Sequence, residues 1–297
     1  MKNILIILVL LSCGKAKPPV VSDAFDNPAL DAKAAIYAKA FESHQESHGF
    51  ISDNCDSLLF SSLLAATSVP NINIMAARDD SGAWHRQPGI RCYPQASKSE
   101  ISRDMLLGVI FWAVHSGQAK VLEEMNQYGQ AHNWVMGDGD KTRTVFTADM
   151  IETLQESITY LNGQTIKPNS YYFVALPTAG YASHLQTLHI LIVGKIRGKI
   201  QANLFQALQA NLKRNPGNGL FQYAVAKYST GLMTNPIATL LDESIFPADH
   251  LPTTKDHCTE YLWQREAGSD WAPCLDREVK EHNGSDFLFL YGLLKNG

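Results

Sequence analysis

Apolar residues recur at helical spacing in one segment after another along this chain, and no regular alternation of strand and helix interrupts them. That pattern constrains the fold more than any other feature. Residues 28–45 are rich in Ala, with Ala34, Ala35, Tyr37, Ala38 and Phe41 on the apolar positions. Asp53 is placed to cap a helix through Leu58, Leu59, Phe60, Leu63 and Leu64. Ser99 or Ser102 can cap the next, which carries Met105, Leu106, Val109, Ile110 and Val114 and stops at Gly117. Further helices are expected over 119–131, 147–161, 181–194, 199–214 and 219–228, with breaks at Asn162-Gly163 and Asn215-Pro216-Gly217. Residues 69–98, 134–144, 165–180 and 246–285 read as long loops, and only 171–176 looks extended. Without strand–helix alternation a parallel α/β sheet is excluded. The expectation is a mainly α protein whose residues 29–297 form a single helical domain, layered or toroid-like, with long loops pinned by disulfides.

The N-terminus has a different character. Lys2 precedes an unbroken apolar run from Ile4 to Leu11, followed by Leu10-Leu11-Ser12-Cys13-Gly14. The run is far short of the roughly 20 residues that span a bilayer as a helix. The order of residues around Cys13 resembles the bacterial lipobox. The resemblance implies a signal peptide over 1–12, lipid on Cys13 and a tether over 13–28. Gly14 in place of Asp then implies the outer membrane of a two-membrane host, with the domain facing periplasm or exterior. Several acyl chains make a stable anchor, since each buried methylene adds roughly 0.8 kcal/mol and one chain alone is marginal. An ordinary cleaved signal peptide with an incidental Cys is the rival. The later run 185–193 is short and contains His189, so no further segment reads as membrane-spanning.

Removing Cys13 from the five cysteines leaves Cys55, Cys92, Cys258 and Cys274. An even number in an oxidising compartment suggests two disulfides. Three connectivities are possible, and pairing Cys55 with Cys92 and Cys258 with Cys274 closes the shortest loops. A four-cysteine zinc site would want closely spaced pairs, which are absent. The formal charge of −4 argues against general nucleic-acid binding. The basic cluster 195–199 reads as a solvated turn between helices. The chain lacks Gly-x-Ser-x-Gly, a P-loop and His-Glu-x-x-His, and Gly137-Asp138-Gly139-Asp140 is no dinucleotide fingerprint. No motif implies a cofactor, and no metal ligand set is assigned.

Unusual residues gather at helix starts and in the long loops, where function commonly sits. Asp56, three residues after Asp53, is an acid/base candidate or half of a capping box. Trp84 and Arg86 offer a sugar-stacking ring and a hydrogen-bonding fork, or else a loop whose Trp covers the core. Asp104, Gly108, Trp112 and His115 share one helix face, with Arg103 beside them. That face suits a cleft wall in which Gly108 lets a ligand approach, or a cap with a satisfied core His. Asp138, Asp140, Thr142 and Asp149 fall at positions 1, 3, 5 and 12 of an EF-hand count, but Arg143 stands where that loop needs Gly. A calcium site of another kind, a polar turn or a paired-acid loop are the other readings of Asp138. Trp263 and Arg265 near Cys274 echo Trp84 and Arg86 near Cys92, as two rims of one cleft.

The layout across the mature domain resembles the helical-toroid, (α/α)-type glycoside hydrolases and polysaccharide lyases. That resemblance implies a membrane-anchored enzyme that degrades a cell-envelope or environmental polysaccharide. Asp56, Asp104 and Asp138 are then candidate acid/base groups, flanking one bond at roughly 5 to 9.5 Å. Trp84, Arg86, Trp112, Trp263 and Arg265 would contact glycan. In a lyase, His115 and Tyr93 become candidate bases and Arg103 neutralises a uronate. The alternatives are a non-catalytic glycan- or peptidoglycan-binding lipoprotein and a structural, partner-binding envelope protein. The expected partners are a glycan and, through Cys13, a membrane, with no nucleic acid.

Overall fold

The computed structural model describes residues 26–51, 57–89, 100–138, 143–166, 181–229, 234–243, 245–246 and 284–297. All five cysteines, the 171–176 segment, Asp56, Tyr93, Trp263 and Arg265 lie outside these residues, and so do the expectations attached to them. The protein is mainly helical. In chain order the helices are α1 (Pro28–Ser43), α2 (Ser57–Thr67), α3 (Arg103–Ser116), α4 (Ala119–Ala131), α5 (Ala148–Leu161), α6 (Tyr181–Arg197), α7 (Ala202–Arg214), α8 (Gly219–Tyr228), α9 (Pro236–Leu241) and α10 (Ser285–Asn296). One antiparallel hairpin, β1 (Val135–Asp138) with β2 (Arg143–Val145), lies in a stretch expected to be loop. No described helix is long and apolar enough to cross a membrane.

Local sequence explains most boundaries. Asn27 caps α1 by accepting from the Leu30 amide at 3.0 Å, and Pro28 occupies the first helical turn. Asn235-Pro236 repeats this device at α9, a short helix missing from the periodicity reading. Ser102 is the residue before α3, and Gly117 closes that helix in the left-handed conformation at φ 71°. The expected helices over 119–131 and 219–228 are observed with the same limits.

Five helices form the centre. α2 touches α3, α3 touches α6, α6 touches α8, α8 touches α10, and α10 returns to α2. These helices are buried on most of their circumference; in α2 only Ala66 escapes burial. α4, α5 and α7 bury one stripe each and pack outside, as amphipathic helices must. The centre is filled by side chains, with Phe111 of α3 edge-on to Phe289 of α10 at 5.7 Å.

Specific contacts show that the five central helices run the same way. The starts of α2 and α3 are linked through Arg86, whose carbonyl accepts from the Leu58 amide and whose Nε donates to the Glu100 carbonyl. His184 meets Asn218 near the starts of α6 and α8, and Gly194 faces Tyr228 near their ends. Thr67 and Gly292 meet where α2 and α10 finish, and the Asn296 side chain donates to the Thr67 carbonyl. His115 feels the charge of Lys195 near the ends of α3 and α6. The domain therefore has a start end and a finish end. α1 runs against α10, with Asp31 bonded to Tyr291 and Lys295 and Tyr37 stacked on Phe287.

Candidate functional site

Buried polar residues are unevenly placed in this fold. Several that lie within helices are satisfied locally: Thr67, Ser157 and Thr187 each donate to the carbonyl four residues earlier. A second group lies at the start end, while Lys33, Ser61, Ser62, Thr153, Glu156 and His189 are buried within helices. Ser57 opens α2, Glu100 precedes α3, Ser183 and His184 lie in the first turn of α6, Asn218 caps α8, and Ser285 and Asp286 open α10; all are buried. Burying so many polar groups is costly unless they are bonded to one another or to a ligand. The start ends of helices also carry unpaired amides and a partial positive charge, which favour acids and anionic ligands.

The geometry can be followed around the end. Ser57 Oγ donates to Gln87 Oε1 at 3.4 Å. Arg86 bridges the starts of α2 and α3, as described above. Thr144 Oγ1 of β2 donates to the Ile101 carbonyl at 2.6 Å, which fixes the hairpin beside the start of α3. On α6, His184 Nε2 lies 2.8 Å from Asn218 Nδ2, while Asn218 Oδ1 accepts from the Phe221 amide. Asn211 of α7 reaches Gln186 of α6 at 3.0 Å. Asp286 Oδ1 takes the Phe287 amide at 2.7 Å. Arg86, Asp104, Ser183, His184, Ser285 and Asp286 each engage further partners.

Beside this end sits an ionic chain. His85 Nε2 lies 3.0 Å from Asp79 Oδ2, and His85 Nδ1 lies 3.5 Å from Glu100 Oε2. The Glu100 side chain is fully buried. The bond to Glu100 raises the His85 pKa above the ordinary imidazole value; burial opposes this and Asp79 adds to it. Burial works to raise both carboxyls, but at Glu100 the His85 bond and nearby amides outweigh it. At Asp79, bonds from Ser81, His85 and the Ala83 amide do the same. The chain thus favours imidazolium between two carboxylates and pins the 79–87 loop to the start of α3.

The sequence candidates divide between the two ends. Arg86, Arg103 and Asp104 belong to the start end; Arg103 is exposed and Asp104 half-buried. Asp138 ends β1, paired in register with Arg143 of the hairpin that Thr144 fixes there, and its side chain lies outside the described residues. His115 is not brought together with Asp104. Eleven residues of helix separate them, about 16 Å at 1.5 Å per residue. Its ring stacks on Phe111, its Nδ1 meets the Phe111 carbonyl, and burial, aided by Lys195, pushes its pKa down to about 3. Trp112 is half-buried against the core. Trp84 is only 1% exposed, so its ring packs into the core and presents no stacking face. Gly108 serves a helix rather than a ligand, since a Cβ there would meet the Leu59 backbone and side chain at 3.0 to 3.2 Å.

The basic cluster also differs from expectation. Arg197 is half-buried rather than a solvated turn residue; its side chain is only 8% exposed and binds Glu156 through Nε and Nη2. Asp149, counted as an EF-hand position, lies instead 3.7 Å from His189 of α6, whose Nε2 is 2.6 Å from Thr153 Oγ1. Among the described residues no group of His, Cys, Asp and Glu could hold a metal ion. Sequence reasoning missed Glu100, His184, Asn218 and Asp286 as one set. Asn218 and Asp286 carried a helix-start signal, but nothing in the sequence joined the four.

No protein-family model, no curated protein and no solved structure significantly matches this chain.

Proposed function

We propose that this protein is a lipid-anchored enzyme that cleaves a cell-envelope or environmental polysaccharide, by hydrolysis or elimination. The observation that carries this reading is the gathering of buried polar residues at the common start end of five parallel helices. The closed circuit of those helices supports the likeness to (α/α)-toroid enzymes. A polymer lying across that end would meet half-buried Asp104 of α3, with Asp286 of α10 buried beneath the same end. Both precede the Phe111–Phe289 contact in their helices, so both lie on the start side of the packed centre. Half-buried Arg86, at the starts of α2 and α3, adds a guanidinium to the same end. In a hydrolase one carboxyl protonates the leaving oxygen while the other acts as nucleophile or activates water.

The test is a panel of acidic and neutral glycans, read by reducing ends and by absorbance of unsaturated products. Turnover that falls at least about a hundred-fold in Asp104→Asn or Asp286→Asn, with unchanged circular dichroism, supports the reading, since general acid–base groups contribute roughly 10²–10⁴-fold. Tight binding without turnover assigns the protein to glycan binding instead. Absence of both on every glycan removes the carbohydrate reading.

A further inference from the structure

We propose that the finish end of the helical circuit is the membrane-facing end of this protein, so that the polar start end opens away from the bilayer. The inference rests on the reading of Cys13 as the lipid-carrying residue. Its geometry comes from α1. That helix begins beside the finish of α10, where Asp31 accepts from Tyr291 at 2.8 Å and from Lys295 at 3.1 Å. It then runs toward the start end, where Gly284 packs on Tyr37. α1 therefore begins at the finish end, with Asp26 and Asn27 just before it.

Tether length turns this attachment into an orientation. Asn27 is 14 residues beyond Cys13. Taken as the random-coil tether that the Cys13 reading implies, 14 residues have a root-mean-square span of about 20 Å. α1 alone, at 16 residues, covers about 24 Å from the finish end toward the start end. Bringing the start end to the bilayer would require the tether to stretch back along that helix, with a loss of conformational freedom.

The chemistry of the finish end suits an anionic lipid surface. Lys195 and Lys227 lie in the last turns of α6 and α8, while Lys295 in the last turn of α10 is paired with Asp31. A cavity of about 530 Å³ opens there between the ends of α5 and α6 and the start of α7. Its wall combines Ile166, Ile196 and Ile200 with exposed Lys199. Apolar wall and cationic rim match the interfacial layer of a bilayer, where basic residues are drawn to anionic headgroups.

The experiment uses full-length protein extracted from membranes and reconstituted in vesicles of phosphatidylethanolamine and phosphatidylglycerol. A photocrosslinking amino acid, p-benzoylphenylalanine, replaces Lys199 at the finish end or Lys213 near the end of α7. Lys213 is exposed and belongs to the start end, because Asn211 reaches the Ser183 carbonyl. Lipid adducts are expected roughly five- to ten-fold more often from position 199, the ratio a Gaussian tether gives for the extra reach. Equal yields, a preference for position 213, or adducts from neither position overturn the orientation. Flotation of Cys13→Ser isolates the underlying reading. If that variant floats with vesicles as the unchanged protein does, the lipid anchor fails whatever the crosslinks show.

Discussion

Replacing Gly292 by Ala tests whether the last central helix closes on the first. A Cβ at position 292 would lie 2.7 Å from Thr67 Cβ and 2.8 Å from the Thr67 carbonyl carbon and oxygen. Ordinary van der Waals contact needs at least 3.4 Å, so α10 must retreat from α2 by more than half an ångström. Two of the three obstructing atoms are backbone, and no rotamer change relieves them. Overpacking costs about 1–3 kcal/mol, and a backbone neighbour puts this case near 3. Moving α10 also strains the Asn296 bond to the Thr67 carbonyl, a loss of about 1 kcal/mol. Ala gains about 1 kcal/mol over Gly in helix propensity. The net expectation is a destabilisation of about 3 kcal/mol. For a domain of this size that lowers Tm by about 6 °C. Urea and thermal unfolding followed by far-ultraviolet circular dichroism measure it. Gly217→Ala is the control, because nothing stands within 4 Å of a Cβ there. If Gly292→Ala is as stable as the unchanged protein or more so, the close contact of α2 with α10 is refuted, and the closed circuit with it.

Arg197→Met is expected to destabilise the fold by about 3–5 kcal/mol, since it leaves Glu156 buried without its partner. The double variant Arg197→Met with Glu156→Leu should recover part of that loss in urea unfolding, and failure to recover any would contradict the buried pairing. Two histidines should shape the pH dependence of stability in opposite senses. His115 has its pKa lowered to about 3, so the unfolded chain binds its proton first and stability falls as pH drops below about 6.5. His115→Phe should flatten that slope. His85 has its pKa raised, so its contribution is complete below about 6.5 and is lost as pH rises through the higher folded value. His85→Gln should remove that alkaline loss, and a pH series of unfolding midpoints that did not change in either variant would refute these assignments.

Helices were legible because their signals are local. Apolar spacing depends on residues three and four apart, and stops such as Gly117 or Asn162-Gly163 act within one turn. The hairpin was missed because Val135–Asp138 and Arg143–Val145 are too short to show alternation. α9 was missed because six residues are less than two turns, although Asn235-Pro236 repeats the capping pattern of Asn27-Pro28. Arg197 looked solvated because its neighbours in sequence are polar, whereas its partner Glu156 lies 41 residues away.

Sequence by itself determined that this chain is helical, where most helices start and stop, and which few residues around Cys13 look like a lipid signal. It also marked Arg86, beside Trp84 in a loop, and Arg103 and Asp104, at the start of an apolar helix, because such placements are visible one residue at a time. Only the tertiary structure decided that five helices point the same way and gather their buried polar starts at one end. Only it joined Arg86 to Glu100 and set Arg197 on Glu156. Helix formation is governed by neighbours along the chain, but the direction of one helix against another is set by contacts between residues far apart in sequence, and those exist only once the chain has packed.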